Sequence, residues 1–182
     1  MSKKQAVFVA ITAWCKIYED YTDLPNPEDR FRFFPIVLMS NSRWDGRVGF
    51  VGGFVESGRS KIEQLIAEAK EEANHHISNG DVVCIASHQN DKIEADMYVN
   101  HLGVISTAEA RRILADAAEA PHALSEGCVS WTHLVDYGRG KGLPAKLASG
   151  NLASFVKEDL QLIYKIMSEN KPDWACEMPP LS

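Results

Sequence analysis

Residues 52 to 74, GGFVESGRSKIEQLIAEAKEEAN, leave this chain the least room for alternative folds. Two glycines open the stretch, a loop follows, and a short helix with a cluster of glutamates closes it. Ser60 followed by Glu63 is a capping box: the serine hydroxyl can accept from the Glu63 amide while the Glu63 side chain reaches back. At roughly 100° per residue, Glu68, Glu71 and Glu72 fall within about 100° of one another on one face. Ile62, Leu65, Ile66, Ala69 and Ala73 form a neighbouring apolar face, so the helix can dock without burying its carboxylates. Asn74 stands where a left-handed C-cap is wanted.

Three like charges one turn apart repel, and a hard divalent cation would relieve that repulsion. Mg²⁺ takes oxygen ligands and keeps several waters, which suits a few carboxylates together with substrate phosphates. Gly52 and Gly53 would let the backbone turn tightly and bring a carbonyl close to the same ion. The competing reading is a solvated acidic helix face, and spacing alone leaves both open.

The 182 residues fit one domain with ample chain for a core; we read residues 1–168 as that domain and 169–182 as a loosely ordered C-terminal tail. A formal charge of -6 argues against broad nonspecific nucleic-acid binding while leaving room for a local basic pocket. Cys15, Cys84, Cys128 and Cys176 have no close spacing, so reduced thiols in a cytoplasmic protein are expected, not a zinc site. The apolar run in MSKKQAVFVAITAWC is too short for a membrane span and reads as a strand; no membrane association is expected.

Residues 5–15 are β-branched and aromatic, a strand, and residues 18–31 read as an exposed loop. RFFPIVLMS, residues 32–40, is a second strand with Pro35 at an edge or bulge. Asp45-Gly46 signals a hairpin whose returning strand runs into Gly52-Gly53. That places Arg43, Trp44, Arg47 and Phe50 near the glutamate helix. The arginines could bind phosphate bidentately or be plain hairpin residues, and Phe50 reads as core before it reads as a stacking platform. Residues 81–88 and 93–102 form a second antiparallel pair, and Ser106 to Ala118 a helix capped by Ser106 and Glu109. Residues 126–135 are a strand, 136–144 a basic glycine-containing loop, and about 151–168 a final amphipathic helix. Strands with helices fore and aft make an α+β chain or an α-β-α sandwich.

The 52–74 stretch resembles a Nudix box, whose pattern is G, five residues, E, seven residues, R-E-U-x-E-E-x-G-U, with U aliphatic. Gly53 matches the first glycine, Glu68 the glutamate after the arginine, and Glu71 and Glu72 the paired glutamates; Glu56 matches the common G-G-x-x-E opening. Arg59, Ala67 and Asn74 stand where the pattern has glutamate, arginine and glycine. The first two replace residues that support the loop–helix geometry in that family, and Arg59 could instead pair with Glu63. The resemblance implies a mixed sheet in an α-β-α sandwich. It also implies a hydrolase of nucleoside diphosphates linked to another moiety, using Mg²⁺ or Mn²⁺ as cofactor, often as a homodimer.

A narrower resemblance runs through RFFPIVLMSNSRWDGRVGFVGGFVES, which is similar to the U8 snoRNA-decapping, or inosine diphosphate phosphatase, branch of that family. It implies a substrate partner that is a purine nucleotide, an RNA 5′ cap or an ADP-ribose derivative. By matching position, Gly52, Glu68 and Glu72 would bind metal with Glu71 beside them, and these glutamates would hold or orient the attacking water. Arg43, Phe50 and His88 would contact the nucleotide, Arg47 the anionic oxygens, and Glu126 is a further base candidate. In the last helix the branch's glutamine and glutamate correspond to Glu158 and Gln161, interchanged. A histidine of the branch's first strand has no counterpart in AVFVAITAWC. The alternative is a nucleotide- or RNA-end-binding module with a weakened site, for which Arg59 and Ala67 speak.

Overall fold

The computed structural model describes residues 3–16, 32–42, 48–123, 127–138 and 155–181. Its centre is β1 (Lys4–Cys15), almost wholly apolar in sequence because both of its faces are covered. Along one edge β1 runs parallel to β6 (Ile93–Ile105), from Lys4↔Ile93 to Cys15↔Ile105. The opposite edge is split. Residues 6–9 pair antiparallel with β4 (Val51–Phe54) and residues 12–15 with β2 (Phe34–Ser42). β3 (Val48–Gly49) and β7 (Gly127–His133) pair with β2, and β5 (Val83–Gln89) closes the far side on β6. Among the described residues the result is one mixed, seven-stranded sheet. Pro35 lies opposite Trp14 at the start of β2, before β7 begins its pairing at Ile36.

Alternation along β1 sorts the core into two layers. Val7, Val9, Ile11, Ala13 and Cys15 pack with Leu65, Ala69 and Ala73 of α1 (Lys61–Ala73) and with Ala110 and Ile113 of α2 (Thr107–Ala118). Ala10 and Trp14 pack with Val156, Leu160, Ile163 and Met167 of the last helix (Val156–Glu169). The molecule is thus the α-β-α sandwich expected from its pattern of elements. The sheet also explains the position of the glutamate helix. β4 is held beside the first half of β1, and α1 follows after six residues, so the carboxylates return over the backbone of residues 51–54.

Two expectations are corrected. β7 ends at His133, and Leu134–Gly138 forms a short helix, α3, in place of the end of a strand and the start of a loop. Its Leu134, Val135 and Tyr137 are buried, and apolar burial selects one helical turn there. Gly138 is required because a Cβ would lie 2.5 Å from the hydroxyl oxygen of Tyr164 on the last helix, α4. The C-terminal segment is docked, not loose. Ala175 pairs with Phe33, the Cys176 amide donates to the Phe33 carbonyl at 2.9 Å, and Trp174 meets Phe33 and Trp14 edge-on at 5.0 and 6.0 Å. Residues 43–47, including the hairpin turn with Arg43 and Arg47, lie outside the described residues, as do Glu126, most of the basic loop and residues 151–154. β2 and β3 pair antiparallel with Ser40 opposite Gly49 and Asn41 opposite Val48, a register two residues off the one that a two-residue Asp45-Gly46 turn would set.

Cys15, Cys84 and Cys176 are free thiols, and burial pushes the Cys15 thiol up to about 11. Among the described residues, no helix is long and apolar enough to cross a membrane.

Candidate active site

The loop–helix unit is built as its sequence dictates. Ser60 accepts from the Glu63 amide at 3.2 Å, and the Glu63 carboxylate accepts from the Ser60 amide at 2.8 Å. That backbone hydrogen bond holds Glu63 below the usual carboxylate range. Asn74 ends α1 in the left-handed region, with φ 47° and ψ 31°. Lys61, the first residue of α1, reaches across to β6: its ammonium lies 2.7 Å from Asp96, which also accepts from Ser87 of β5 at 2.8 Å. The Asp96 hydrogen bond raises the Lys61 pKa. This pins the N-terminus of α1 to the sheet and fixes its rotation over β4.

Two glycines then bring carboxylates and backbone together. At Gly52, φ is +150° and an added Cβ would lie 2.1 Å from the Val7 carbonyl oxygen; only glycine fits against β1 there. At Gly53 an added Cβ would lie 2.3 Å from Oε1 of Glu68. The Glu68 carboxylate therefore stands directly on the backbone of β4. Glu72 does the same one turn on, its Oε2 accepting from the Gly52 amide at 3.3 Å. Glu71 lies to the side, its Oε2 3.6 Å from Nδ1 of His122, while the His122 amide donates to the Glu71 carbonyl at 3.0 Å.

The residues that replace the expected supports form a network of their own. Gln64 is 2% exposed. Its Nε2 donates to Glu68 Oε1 at 2.8 Å, and its Oε1 accepts from the Glu56 amide at 3.2 Å and from Arg59 at 3.3 Å. Arg59 completes the loop by pairing with Glu56 at 3.2 Å. The expected Arg59–Glu63 pair is not the one formed, because Glu63 is engaged in the cap. Sequence reading overlooked Gln64, although its position four residues before Glu68 puts the two side chains one above the other on a helix.

A second cluster lies on the opposite face of the sheet. Nε2 of His88, on β5, is 2.6 Å from Oδ1 of Asp159 on α4, and the His88 ring stacks on Phe155 at 4.7 Å with a 7° interplanar angle. Asp159 is 4% exposed; burial raises its pKa, opposed by the His88 contact. Glu158 and Gln161 are exposed on α4, and Gln161 lines a groove with Tyr164, Lys165, Met178 and Pro179 beside the C-terminal segment. The α4 residue that engages His88 is Asp159, whose signal in the sequence was an acid interrupting an apolar stripe. Phe50 is 4% exposed and packed in the core under α4. His88 shares a register row with Ala95, Ala6 and Phe54, three strand spacings or roughly 14 Å from β4. His88 and Glu68 therefore cannot grip the same phosphate.

The donors gathered at β4 are oxygens, the chemistry a hard divalent cation prefers, and bare glycine backbone leaves space for an ion there. The residues present fit such an ion in kind. Among the described residues, though, no three His, Cys, Asp or Glu side chains are gathered as a ready ligand set. Glu68 and Glu72 face β4 while Glu71 faces His122.

No family model and no curated protein matches the chain. Solved structures do. A mutT/nudix family protein from Listeria innocua matches over 93% of this chain and 97% of its own, with a TM-score of 0.57 and 12% identity. The NUDIX domain of Shewanella oneidensis NrtR, complexed with ADP ribose, matches over 92% and 90%, with a TM-score of 0.57 and 12% identity. A MutT/nudix family protein from Enterococcus faecalis matches over 73% of this chain at 16% identity and a TM-score of 0.48, and the chain spans 44% of that protein. The first two likenesses establish that the chain has the Nudix fold.

Proposed function

We propose that this chain is a divalent-metal-dependent pyrophosphohydrolase that cleaves the diphosphate of a nucleoside diphosphate derivative. One observation carries the reading: in a chain with the Nudix fold, Glu68 and Glu72 stand against the Gly52-Gly53 backbone at the positions of the Nudix-box resemblance. Glu68, Glu71, Glu72 and the Gly52 carbonyl are the proposed holders of Mg²⁺ or Mn²⁺. When bound, such an ion neutralises charge on the diphosphate and lowers the pKa of a coordinated water.

The chain's own residues supply the rest. Gln64 and the Gly52 amide hold Glu68 and Glu72 beside β4. Glu71, on the flank, is proposed to orient or deprotonate the attacking water, with Glu126 as a further base. Arg43 and Arg47 are proposed to bind the anionic oxygens bidentately. His88, held by Asp159 and Phe155, is the proposed contact to the nucleotide's far portion. Phe50, buried in the core, is proposed on the nucleotide side of the site on the resemblance alone. Glu158 and Gln161, exposed on α4, are proposed as further substrate contacts.

The branch resemblance supports a purine nucleoside diphosphate or an RNA 5′ cap as substrate, and the ligand of the Shewanella domain supports an ADP-ribose type. A homodimer is proposed on the resemblance alone, and a cytoplasmic location on the wide spacing of the cysteines. The rival, a nucleotide- or RNA-end-binding module with weak turnover, rests on Arg59 and Ala67. The Gln64 network favours the enzyme, since it restores support to Glu68. Product release from IDP, GDP, ADP-ribose, a dinucleoside polyphosphate and cap-bearing RNA, each with Mg²⁺ or Mn²⁺, tests the proposal. Cleavage of at least one is expected; a thermal shift with any of them and no product would favour the binding module.

A further inference from the structure

We infer that Gln64 is the residue that positions Glu68, and that Arg59 acts through it. This rests on the proposed metal-dependent reading of the same site.

The amide is almost fully buried and all of its described contacts agree on one orientation. Two donors, the Glu56 amide and the Arg59 guanidinium, converge on Oε1. The acceptor, Glu68 Oε1, faces Nε2. Flipping the amide would set an NH₂ group against two donors and an oxygen against a carboxylate. Oε1 therefore stays on the Arg59 side, and Nε2 stays aimed at Glu68. Gly53 closes the opposite side, with its missing Cβ leaving the place the carboxylate occupies. Glu68 is held between an amide donor and bare backbone.

The chemical consequence follows from charge. A guanidinium in contact with Glu68 would compete with a cation for its negative charge. An amide orients the carboxylate without neutralising it. Arg59, which could have been that guanidinium, is spent on Gln64 Oε1 and Glu56 Oε2 instead, one step removed from the carboxylate. The Gln64 amide thus orients Glu68 while the Arg59 guanidinium stays on Gln64 and Glu56.

The test compares wild type with Gln64→Leu, which keeps the bulk and removes the donor. It uses Mn²⁺ titration by electron paramagnetic resonance, steady-state kinetics on the best nucleotide substrate, and thermal melting. Gln64→Leu should weaken Mn²⁺ binding by at least about 10-fold and lower kcat by a similar factor, with KM within about two-fold. Mn²⁺ binding and kcat both within about two-fold of wild type would overturn the inference, whatever the melting temperature does. Wild-type protein that binds Mn²⁺ and cleaves no nucleotide, with Mn²⁺ binding weakened in the variant, would sustain the role of Gln64 and refute the hydrolase reading. Wild-type protein that binds no Mn²⁺ would refute both. Should leucine not be accommodated, Gln64→Asn decides by the same criteria, since it keeps the amide but falls one carbon short of bridging Glu68 and Arg59.

Discussion

Gly53→Ala separates site geometry from folding better than any other single change in this molecule. The new methyl would lie 2.3 Å from Glu68 Oε1, 2.8 Å from its Cδ and 3.2 Å from Oε2. Every one of these atoms is the end of a flexible side chain, and Gly53 is not at positive φ. The backbone can therefore stay in place while the carboxylate retreats by about 1.1 Å to an ordinary contact distance of 3.4 Å. That retreat breaks the registry of Glu68 with Gln64. Losing one hydrogen bond to a charged group costs about 1.5–3 kcal/mol at most, and rerouting to water in this half-buried place recovers part of it, so about 1 kcal/mol of stability is expected to go. A reactive group misplaced by about 1 Å loses roughly 100-fold in rate. Gly52→Ala is the contrast. Its methyl would meet the Val7 carbonyl oxygen at 2.1 Å and Phe8 Cα at 2.7 Å, at φ +150°, so backbone must move. It should lose on the order of 3 kcal/mol or more, roughly 10 °C in a chain of this size. Thermal melting and kcat measured on both variants decide the matter. A Gly53→Ala protein with kcat within about three-fold of wild type, or one that melts as low as Gly52→Ala, refutes the reasoning.

Two further outcomes follow from the surrounding contacts. Asp159 has its pKa raised by burial, so its contribution to stability is full below the ordinary value of 3.8 and is lost as the pH rises through the folded value. Melting curves of wild type and Asp159→Asn between about pH 3.5 and pH 7 should show the variant gaining on wild type as pH rises, with His88 and Glu158 the other ionisable groups beside it; a constant or narrowing gap contradicts this. Lys61→Met removes the 2.7 Å partner of Asp96, which is 8% exposed and keeps only its Ser87 hydrogen bond among the described contacts, so urea unfolding should record a loss of about 2 kcal/mol. A loss under about 0.5 kcal/mol would mean that the pair does not anchor α1.

Local chemistry explains which features were legible in the sequence. The Ser60–Glu63 capping box, the left-handed Asn74 and the Ile62–Ala73 apolar face each depend on residues within one or two helical turns, and each is present as read. The same holds for the antiparallel pair of β5 and β6. The misreadings involve a competition or a distant partner. Arg59 could be matched to Glu63 only while the cap's prior use of Glu63 was ignored. Gln64 and Asp159 carried local hints in their helical spacing, but their burial depends on partners from elsewhere in the chain, since a buried polar group is defined by its partners. Ala175 and Cys176 dock on Phe33, a contact that spans most of the chain and has no local signal. The glycine at the end of the Leu134–Gly138 turn answers to Tyr164, again a remote residue.

Glu72→Gln tests the central claim most directly. The variant keeps an oxygen that can accept from the Gly52 amide, as Glu72 does at 3.3 Å, so its fold and melting temperature should stay nearly unchanged. Measured beside wild type on the best-cleaved nucleotide with saturating Mg²⁺, its turnover should fall by at least about 100-fold. Turnover within a few-fold of wild type, in a protein of unchanged stability, would contradict the assignment of this loop and helix as the hydrolytic centre.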